Sequence, residues 1–444
     1  MIILGVGCNI GDRLANLRKA LRHMCSISKL KILQVSPVYE SDALLFDGAP
    51  PDWNRSFMNI ALEISTNLYP EELLVAIKEV EKKMGRGVHL KWSPRLIDID
   101  ILAWNDKYYC TDKIVIPHPF LTERPFALWP LADIAPDWKY CCPNCIDTGR
   151  NAEDIARKFG SRFDGNALLH TKQIAHRVDT PMMMGILNVT PDSFSDGEKF
   201  NSLTRTLEHA KSLFAVGADI IDIGAESTRP GSKAISSKDE WLRLKPILDS
   251  WSSLWSDKSF KPKLSIDTYK PEIVKKLLPY QIDFLNEVGG LINPRMRDVV
   301  KESNAKIIFM HNLGLPANPQ VILSQNTDII SQVYQWGEKQ LNTLIDAGIA
   351  RERLIFDIGI GFGKNAEQSL FLIKGIARFH DLGIPILVGH SRKSFLNRFT
   401  EKKFATRDLE SAVFSGFLAK QKVEYLRVHN VDVHMRLLKI ESLL

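Results

Sequence analysis

Two carboxylates stand two positions apart in the apolar segment WSPRLIDIDIL, as Asp98 and Asp100. Side chains at alternate positions of a strand point to one face, so these two lie roughly 6 to 7 Å apart at the backbone. Such a pair could hold two magnesium ions, which prefer carboxylate, water and phosphate oxygens and neutralise the charge that develops in phosphoryl transfer. The alternative is a half-exposed strand whose acids only face water, although acids are disfavoured in strands.

Cationic and aromatic residues surround this pair in the sequence. The cations could bind the phosphates of a nucleotide held by the same metal ions, and they are Arg86, Arg95, His118 and Arg124. Three aromatic residues could sandwich a flat heterocycle, with an amide reading its polar edge; these are Trp92, Phe57 and Phe126, and the amide is Asn59. Taken singly, each cation is equally a solvated surface charge, and each aromatic ring is equally part of a core.

A second set of polar side chains recurs after short apolar segments beyond Pro181. Its members are Asn188, the Glu226-Ser-Thr-Arg-Pro-Gly loop, Asp267, Asn286, His311, Asp357, Ser391, Arg427 and His429. Arg229, Arg427 and His429 could form a diphosphate pocket, because the guanidinium fork matches phosphate oxygens. A carboxylate buried at a strand end needs donors, which the ring N–H groups of a pterin would supply.

Two other interpretations concern this second set: an ion pair at Asp357, which remains open, and a dinucleotide site, which we exclude. The buried acid at position 357 could instead pair with Lys393 or Arg392, which is compatible with a pterin site because Lys393 could also bind the ring. The segment FDIGIGFGK contains several glycines but lacks the Gly-x-Gly-x-x-Gly spacing of a dinucleotide site, so we discount that function.

The elements that would position the second set repeat regularly. Eight short apolar segments are predicted as strands, near 183–188, 219–223, 263–267, 283–286, 305–310, 353–358, 384–389 and 424–428, and each is followed by a helix-like segment. Eight such units in about 260 residues are typical of a (β/α)₈ TIM barrel. Catalytic groups of that fold lie where strands end at the carboxyl face, and the polar clusters fall there.

The first third of the chain has a mixed pattern. Strands are predicted at 2–7, 30–41, 56–65 and 96–104, and helices near 12–25 and 70–84, which together indicate a compact α+β sandwich. The chain is therefore predicted as an α/β multidomain protein with an α+β domain at 1–136, a linker at 137–180 with one short helix near 151–159, and a barrel domain at 181–444.

Composition and charge limit the possible functions. The chain has 444 residues, 45% of them hydrophobic and 25% charged, and a formal net charge of +6 without a basic run of the kind found in nucleic-acid arms. The sequence contains no run of 18 apolar residues, which argues against a membrane span. Cys141, Cys142 and Cys145 have part of a zinc-binding spacing but no second pair follows, so we expect ordinary reduced thiols and a cytoplasmic protein.

Four ordered motifs in the first third, GVGCNIGD, FMNIALEI, RLIDIDIL and IPHPFLTERPFALWPL, resemble hydroxymethyldihydropterin pyrophosphokinases. The resemblance implies a ferredoxin-like fold in which ATP gives its β,γ-pyrophosphoryl unit to the hydroxymethyl group of a dihydropterin, leaving AMP. It implies that Asp98 and Asp100 hold two Mg²⁺ ions, and that Arg95 and Arg124, with His118, contact the nucleotide. Asn59, with the aromatic side chains, would then form the pterin pocket. Which cation closes over ATP, Arg86 or another, is left open.

Six ordered motifs beyond residue 180, MGILNVTPDSFSDG, ESTRPG, LSIDT, FDIGIGFGK, GHSRKSF and RVHNV, resemble dihydropteroate synthases. The resemblance implies that Asp267, Asn286, Asp357 and Lys393 hold the pterin and that Arg229, Arg427 and His429 bind its diphosphate. Thr228 is a further predicted substrate-binding residue. Asn188 would help to bind Mg²⁺, and Phe194, Pro230, Phe362 and Ser394 would position p-aminobenzoate. A homodimer through the barrel is implied by the family alone.

Two rival functions were weighed against these resemblances. A pterin-dependent methyltransferase would share the pterin slot but would pass its substrate to a corrinoid partner, and the SRKS motif argues against it. A non-catalytic scaffolding domain would not need to keep Asp98, Asp100, Asp357, Lys393 and Arg427. The sequence therefore predicts a bifunctional enzyme of folate biosynthesis with small-molecule substrates and no nucleic-acid or membrane partner.

Overall fold

The computed structural model describes residues 1–85, 93–189, 199–226, 234–256, 260–318, 320–324, 327–401 and 407–442. The chain separates into two compact units. The first contains Met1–Asp179 together with Lys439–Leu444, and the second contains Thr180–Leu438. None of the described helices is both long enough and apolar enough to cross a lipid bilayer.

The first unit is an α+β fold built on an antiparallel sheet. Its strands are β1 (Ile2–Cys8), β2 (Leu30–Val35), β3 (Tyr39–Ser41), β4 (Phe57–Thr66), β5 (Asp98–Trp104), β6 (Tyr109–Cys110), β7 (Val115–Ile116) and β8 (Lys172–Gln173). Its helices are α1 (Arg13–Cys25), α2 (Pro70–Lys83), α3 (Pro125–Ile134) and α4 (Ala152–Ala156). The main sheet has the order β5-β1-β4-β3-β8, with β2 also paired to β4, and β6 and β7 form a separate pair.

Local sequence explains where the elements of the first unit begin. The carboxylate of Asp12 accepts the backbone N–H of Ala15 at 3.1 Å and caps α1, and a proline occupies the first position of α2. β1 and the central part of β4 are almost wholly buried, as expected for the two middle strands of a sheet that is covered by helices. Both predicted helices and the four predicted strand segments are confirmed.

The segment that we predicted as a linker belongs to the first unit as far as residue 179. It contains the expected short helix, α4, but its apolar side chains are buried rather than exposed. Trp138, Tyr140 and Ile155 pack in one cluster with Trp129 of α3. The linker prediction is therefore corrected. The polar composition of the segment concealed a few large apolar anchors that bind it to the domain.

The cysteine prediction is corrected in one respect. Cys142 and Cys145 are joined by a disulfide, whereas we expected free thiols. The physical reason is a tight turn in which the N–H of Cys145 donates to the carbonyl of Cys142 at 3.2 Å, which brings the two side chains together. Cys8, Cys25, Cys110 and Cys141 are free thiols as expected.

The second unit is a closed barrel of eight parallel strands, which confirms the TIM-barrel prediction. The strands are β9 (Met182–Asn188), β10 (Ile220–Gly224), β11 (Lys263–Asp267), β12 (Phe284–Glu287), β13 (Lys306–Met310), β14 (Leu354–Asp357), β15 (Ile386–Val388) and β16 (Tyr425–Val428). The helices are α5 (Lys199–Ala215), α6 (Ser237–Leu254), α7 (Pro271–Leu277), α8 (Pro294–Lys301), α9 (Ile329–Asp346), α10 (Ala366–Lys374), α11 (Asp408–Lys420) and α12 (Val431–Glu441).

Two apolar layers hold the barrel together. A large cluster fills the space between strands and helices, and a smaller one fills the barrel interior with side chains such as Met184, Ile220, Phe284, Ile308 and Tyr425. These interior residues come from the early positions of their strands, so they close the amino end of the barrel. The polar residues at the carboxyl ends of the strands therefore lie above an apolar floor.

Candidate active sites

The first unit contains a cavity of about 440 Å³ beside β5, β1 and β4. It is lined by most of the residues that the sequence singled out, namely Phe57, Asn59, Arg95, Asp98, Asp100, His118, Arg124 and Phe126, and by others that include Gly7, Ser41, Asp42, Lys78 and Phe120. Arg86 and Trp92, which were also predicted for this site, lie outside the described residues. The cavity therefore brings the predicted nucleotide-binding and heterocycle-binding residues together.

The two strand carboxylates face this cavity from the same side of β5, as predicted. The guanidinium of Arg95 donates to Asp98, with Nη1 2.6 Å from Oδ2. Burial, followed by the charge of Asp98, raises the pKa of Asp100 above its ordinary value. A divalent cation would relieve both effects, because it favours the charged form of each carboxylate.

Lys78 is a residue of this site that the sequence did not reveal. Its ammonium lies 4.0 Å from Asp98 Oδ1 and 3.8 Å from Asp100 Oδ1. It is fixed by donating to Glu81 Oε1 at 2.8 Å and to the carbonyl of Ile99 at 2.9 Å. On α2 alone, Lys78 looks like one of several solvated helix charges, and only the packing of α2 against β5 gives it this position.

The opposite part of the cavity carries an amide and aromatic rings. Asn59 is buried on β4 and donates through Nδ2 to Ser41 Oγ at 3.2 Å. It is opposite Gly7 on β1, where a Cβ atom would lie 2.7 Å from Asn59 Oδ1, so only glycine leaves the amide this position. The guanidinium of Arg124 lies 4.8 Å from the centroid of the Phe120 ring and 5.9 Å from that of Phe126. A flat heterocycle with a polar edge fits these surroundings.

The donor set around Asp98 and Asp100 fits magnesium brought in with a nucleotide. Among the described residues there is no group of three or more His, Cys, Asp or Glu side chains that could enclose a metal ion. Magnesium is commonly held by one or two carboxylates and completes its octahedron with water and substrate phosphates. The two carboxylates would therefore hold the ion. Arg95 and Arg124 are lining cations that could bind phosphate oxygens, and His118, whose pKa is lowered by burial, could contact them as a neutral imidazole.

The second site is centred on Arg427 at the carboxyl end of β16. Its Nε lies 2.6 Å from Asp222 Oδ2 and its Nη2 lies 2.7 Å from Asp267 Oδ2. Asp222 is fully buried and also accepts from Ser265 Oγ at 2.6 Å and from Asn286 Nδ2 at 3.1 Å. Burial alone would lower the pKa of Arg427, but the charges of Asp222 and Asp267 raise it above its ordinary value. The guanidinium of Arg427 is therefore charged and held in a fixed orientation.

Asp222 is the residue that sequence reasoning missed in this barrel. The signal was present, because an acid in the middle of the apolar strand IIDIG is as unusual as Asp98 in its own strand. It connects Arg427 to Asn286, so it orients one residue predicted for the diphosphate and one predicted for the pterin ring.

Asp357 and Lys393 lie at neighbouring strand ends, as predicted. Asp357 is buried and accepts the N–H of Gly359 at 2.8 Å. Burial raises its pKa, and the charges of Lys393 and Arg427 oppose that rise. The ammonium of Lys393 donates to the carbonyl of Ile360 at 2.5 Å and lies 4.3 Å from the centroid of the Phe362 ring. These contacts place a cation, a carboxylate and an aromatic face together.

The other predicted barrel residues are placed as follows. His429 accepts or donates through Nδ1 to Ser391 Oγ at 3.1 Å, and Ser394 is exposed after β15. Asn188 ends β9 in register with Gly224, whose missing side chain leaves room beside Asp267. His311 follows β13, and its Nδ1 lies 2.7 Å from Lys364 Nζ. Thr228 and Arg229, with Phe194 and Pro230, lie outside the described residues.

Arg392 does not pair with Asp357, which decides one of the alternatives left open by the sequence. Its Nε and Nη2 donate to the two carboxylate oxygens of Asp408 at 2.6 and 2.9 Å, and its N–H donates to Ser411 Oγ at 3.0 Å. The backbone of Arg392 has a φ of +59°, a left-handed conformation that costs a non-glycine residue about 1 kcal/mol. The contacts with α11 thus hold the strained SRKS loop.

Replacing Asp408 by asparagine is expected to raise the KM for p-aminobenzoate roughly tenfold, because small misplacements of binding groups are costly. Without the bidentate ion pair, the loop that carries Lys393 and Ser394 loses its fixed position. Steady-state rates of dihydropteroate formation would measure this. Asp381→Asn, which removes an exposed pair with Arg378, is the matched control. Equal KM values for the two variants would contradict a role of the Asp408–Arg392 ion pair in positioning the loop.

Pterin binding in the barrel is expected to weaken as the pH falls below neutral. Burial raises the pKa of Asp267 to about 7 despite the opposing charge of Arg427. In the pterin-binding role that the resemblance implies for Asp267, ring N–H donors would bind the ionised carboxylate, so affinity is expected to fall by up to about tenfold for each pH unit below that value. The KM for supplied pterin diphosphate should be measured from about pH 5.5 to about pH 8.5 in the parent chain and in Asp267→Asn. Titration of the substrate is common to both, so parallel profiles would contradict the assignment.

Comparison with known proteins agrees with this division of the chain. Residues 3–136 match the family model of 7,8-dihydro-6-hydroxymethylpterin-pyrophosphokinase, and residues 184–429 match the model of pterin binding enzymes. The folate synthesis bifunctional protein of Chlamydia muridarum (strain MoPn / Nigg) is 36% identical over 443 residues, which cover 98% of this chain and 96% of the relative. That of Arabidopsis thaliana is 32% identical over 465 residues, covering 97% and 93%.

Solved structures resemble the second unit. The dihydropteroate synthase of Anaplasma phagocytophilum with bound 6-hydroxymethylpterin-monophosphate is 37% identical, with a TM-score of 0.54, and the match covers 60% of this chain and 99% of that one. The enzyme of Xanthomonas albilineans with 4-aminobenzoic acid is 32% identical, with a TM-score of 0.53, and the match covers 59% and 92%. Two family models in order and relatives matched along nearly their whole length lead to one conclusion: this chain belongs to the family of folate synthesis bifunctional proteins, with a hydroxymethyldihydropterin pyrophosphokinase domain followed by a dihydropteroate synthase domain.

Proposed function

We propose that the first cavity transfers the β,γ-pyrophosphoryl unit of ATP to 6-hydroxymethyl-7,8-dihydropterin and that the barrel condenses the resulting pterin diphosphate with p-aminobenzoate. The products of the first step are AMP and the pterin diphosphate, and those of the second are 7,8-dihydropteroate and pyrophosphate. The observation that carries the proposal is the composition of the first cavity, where the Asp98–Asp100 pair and the Asn59 amide line one space.

In the first reaction the protein mainly positions the reactants and stabilises charge. Asn59 and the aromatic rings hold the heterocycle with its hydroxymethyl group toward the carboxylates. Arg95, His118 and Arg124 hold the nucleotide phosphates. When bound, Mg²⁺ neutralises charge on the transferred group, and Asp98 and Asp100 are the residues that would hold it. Phosphoryl transfer needs little other help from a protein than such positioning and electrostatics.

In the second reaction the protein assists departure of the diphosphate from the pterin methylene carbon. Arg427 and His429 bind the leaving group, and Asp267, Asn286, Asp357 and Lys393 hold the ring. Lys393 and Phe362 also line the space for p-aminobenzoate, whose amine attacks the electron-deficient carbon. A fixed guanidinium stabilises developing negative charge without reorganisation, so no covalent protein nucleophile is required.

The residue roles distinguish this proposal from its rivals. A methyltransferase barrel would need a corrinoid partner and would not require the Lys393–Phe362 pair beside the pterin pocket. A non-catalytic scaffold would not require a charged arginine fixed between the carboxylates of Asp222 and Asp267. The cytoplasmic location and a homodimer through the barrel remain predictions of this proposal.

The deciding experiment incubates the full-length chain with Mg²⁺, ATP, 6-hydroxymethyl-7,8-dihydropterin and p-aminobenzoate, and measures AMP, pyrophosphate and dihydropteroate together. All three products are expected. AMP without dihydropteroate would overturn the barrel assignment. Dihydropteroate formed only from supplied pterin diphosphate would overturn the assignment of the first cavity, and no product from either substrate would favour a binding protein.

A further inference from the structure

We infer that residues 137–179, which lie beyond the match to the pyrophosphokinase model, are a working part of the first active site. They position Ser41 and Asp42 in the cavity wall and thereby set the affinity for the dihydropterin. The inference rests on the proposed function of the first cavity. It assigns a role to a segment that neither family model covers.

Residues 137–179 contact a hydrogen-bonded pair in the interior of the first unit, Tyr39 and Asp133. Tyr39 is fully buried, stacks on Trp129 with ring centroids 5.9 Å apart, and donates its hydroxyl to Asp133 Oδ2 at 2.6 Å. Gln173 Nε2 lies 3.2 Å from both the Tyr39 hydroxyl and Asp133 Oδ2, and Arg162 Nε lies 3.3 Å from Asp133 Oδ1. Gln173 thus hydrogen-bonds the Tyr39 hydroxyl and the Asp133 carboxylate, and Arg162 adds an ion pair to that carboxylate.

The same segment supplies an additional strand to the sheet. β8 pairs antiparallel with β3, with Tyr39 opposite Gln173 and Glu40 opposite Lys172, and the N–H of Ile174 donates to the carbonyl of Val38 at 2.9 Å. β3 has only three residues, and its other neighbour is β4. Because a short edge strand is weakly fixed, pairing on its second side determines where it ends. Ser41, its last residue, lines the cavity.

Contact with the cavity wall continues one residue further. The N–H of Asp42 donates to the carbonyl of Leu169 at 2.8 Å, and the carboxylate of Asp42 lies 2.6 Å from His170 Nδ1. Leu169 and His170 have φ values of +58° and +46°. Such conformations are strained for non-glycine residues and persist only where the surroundings impose them. The side chain of His170 is 82% exposed, so the backbone bond, rather than the ion pair, fixes Asp42.

The path from the segment to the ligand is short. Leu169 fixes Asp42, and β8 fixes β3 with Ser41 at its end. Ser41 Oγ in turn accepts a hydrogen bond from the Asn59 amide, the group proposed to read the pterin edge. Rotation of that amide would exchange its donor and acceptor, so the position of Ser41 selects which pattern the pterin meets.

The inference is tested on the full-length chain with two variants of the segment. Gln173→Ala removes the amide that joins Tyr39 and Asp133, and Ile174→Pro removes the backbone donor to Val38. For each, the KM for dihydropterin in AMP formation is expected to rise roughly fivefold to tenfold, since one hydrogen bond is worth about that factor. The KM for ATP and the rate of dihydropteroate formation from supplied pterin diphosphate should stay as in the parent chain. Lys172→Ala, an exposed neighbour in the same strand, is the matched control.

Calorimetric binding of dihydropterin in the presence of a non-hydrolysable ATP analogue separates failure of the inference from failure of the proposed function. Unchanged dihydropterin affinity in both variants would overturn the inference even if the parent chain forms AMP. A parallel rise of both KM values with a lowered melting temperature would also overturn it, because it would indicate a purely structural role. A parent chain that binds dihydropterin but forms no AMP would overturn the proposed function alone.

Discussion

The Asp98→Asn variant is expected to lose AMP formation by roughly a thousandfold, because metal-assisted charge stabilisation contributes several kcal/mol and each 1.4 kcal/mol is tenfold in rate. Asparagine keeps the shape of the side chain but removes the charge that attracts Mg²⁺. It also leaves the guanidinium of Arg95 without its carboxylate partner at 2.6 Å. Dihydropteroate formation from supplied pterin diphosphate should be unchanged, since that reaction belongs to the barrel.

Three comparisons make this prediction specific. Asp100→Asn should cause a loss of similar size, and the double variant should lose little more than either single one, because residues that act as a unit are not additive. Glu63→Gln is the matched control, since Glu63 is an acid on β4 of the same sheet and is not one of the described residues that line the cavity. AMP formation within about threefold of the parent chain in Asp98→Asn would contradict the metal-binding role.

Lys78 also affects the charge balance of the Asp98–Asp100 pair. Its ammonium already stands within 4.0 Å of both carboxylates and is fixed by Glu81 and Ile99. A cation in this position partly balances the two negative charges before any metal arrives, which lowers the cost of holding them together. We therefore expect Mg²⁺ binding in the first reaction to depend on Lys78 of α2 as well as on the two carboxylates of β5.

The barrel could be predicted closely because its signals are local. Each strand is a short, mostly apolar run with a polar residue at or soon after its carboxyl end, and such apolar runs are expected of parallel strands that are buried on both faces. β10 illustrates this, since IIDIG is buried throughout and ends beside Asn188 and Asp267. The residues predicted at strand ends meet because the topology alone brings those ends together.

What could not be predicted depends on contacts between distant parts of the chain. The role of Lys78 requires α2 to pack on β5, and that of Asp408 requires α11 to receive Arg392. Residues 137–179 looked like a connector because polar residues dominate, whereas Trp138 and Tyr140 anchor them in the core. Asp222 is different, since its position in an apolar strand was visible and was overlooked.

In the proposed assignment, both sites would recognise a pterin by similar means. Each has a buried asparagine amide, Asn59 in the first unit and Asn286 in the second, held by a second polar side chain. In the first unit that side chain is Ser41, and in the second it is Asp222. A fixed amide distinguishes donor from acceptor on a heterocycle edge, and rigid support prevents it from turning over. If the two amides bind the ring as proposed, Ser41 and Asp222 would contribute to its selectivity by holding them in place.

The Arg427→Lys variant is expected to lose about a hundredfold to a thousandfold in kcat/KM for dihydropteroate formation, the range seen when one fixed donor to developing charge is removed. Lysine keeps the charge but has a single nitrogen. It lacks the two separate nitrogens, Nε and Nη2, through which Arg427 contacts Asp222 and Asp267 at 2.6 and 2.7 Å. AMP formation in the first unit should not change, which provides an internal measure of intact enzyme.

A control at a second arginine distinguishes loss of the Arg427 guanidinium from general destabilisation of the barrel. Arg353 immediately precedes β14 at the amino end of the barrel and donates to the carbonyls of Ala305 and Val300 at 3.0 and 2.9 Å. Arg353→Lys should reduce thermal stability without a selective loss of dihydropteroate formation. Asp222→Asn should reproduce most of the Arg427→Lys defect, because it releases both Arg427 and Asn286 while leaving the guanidinium in place. If Arg427→Lys and Arg353→Lys instead lowered kcat/KM equally, the effect would come from folding, and Arg427 would not bind the diphosphate.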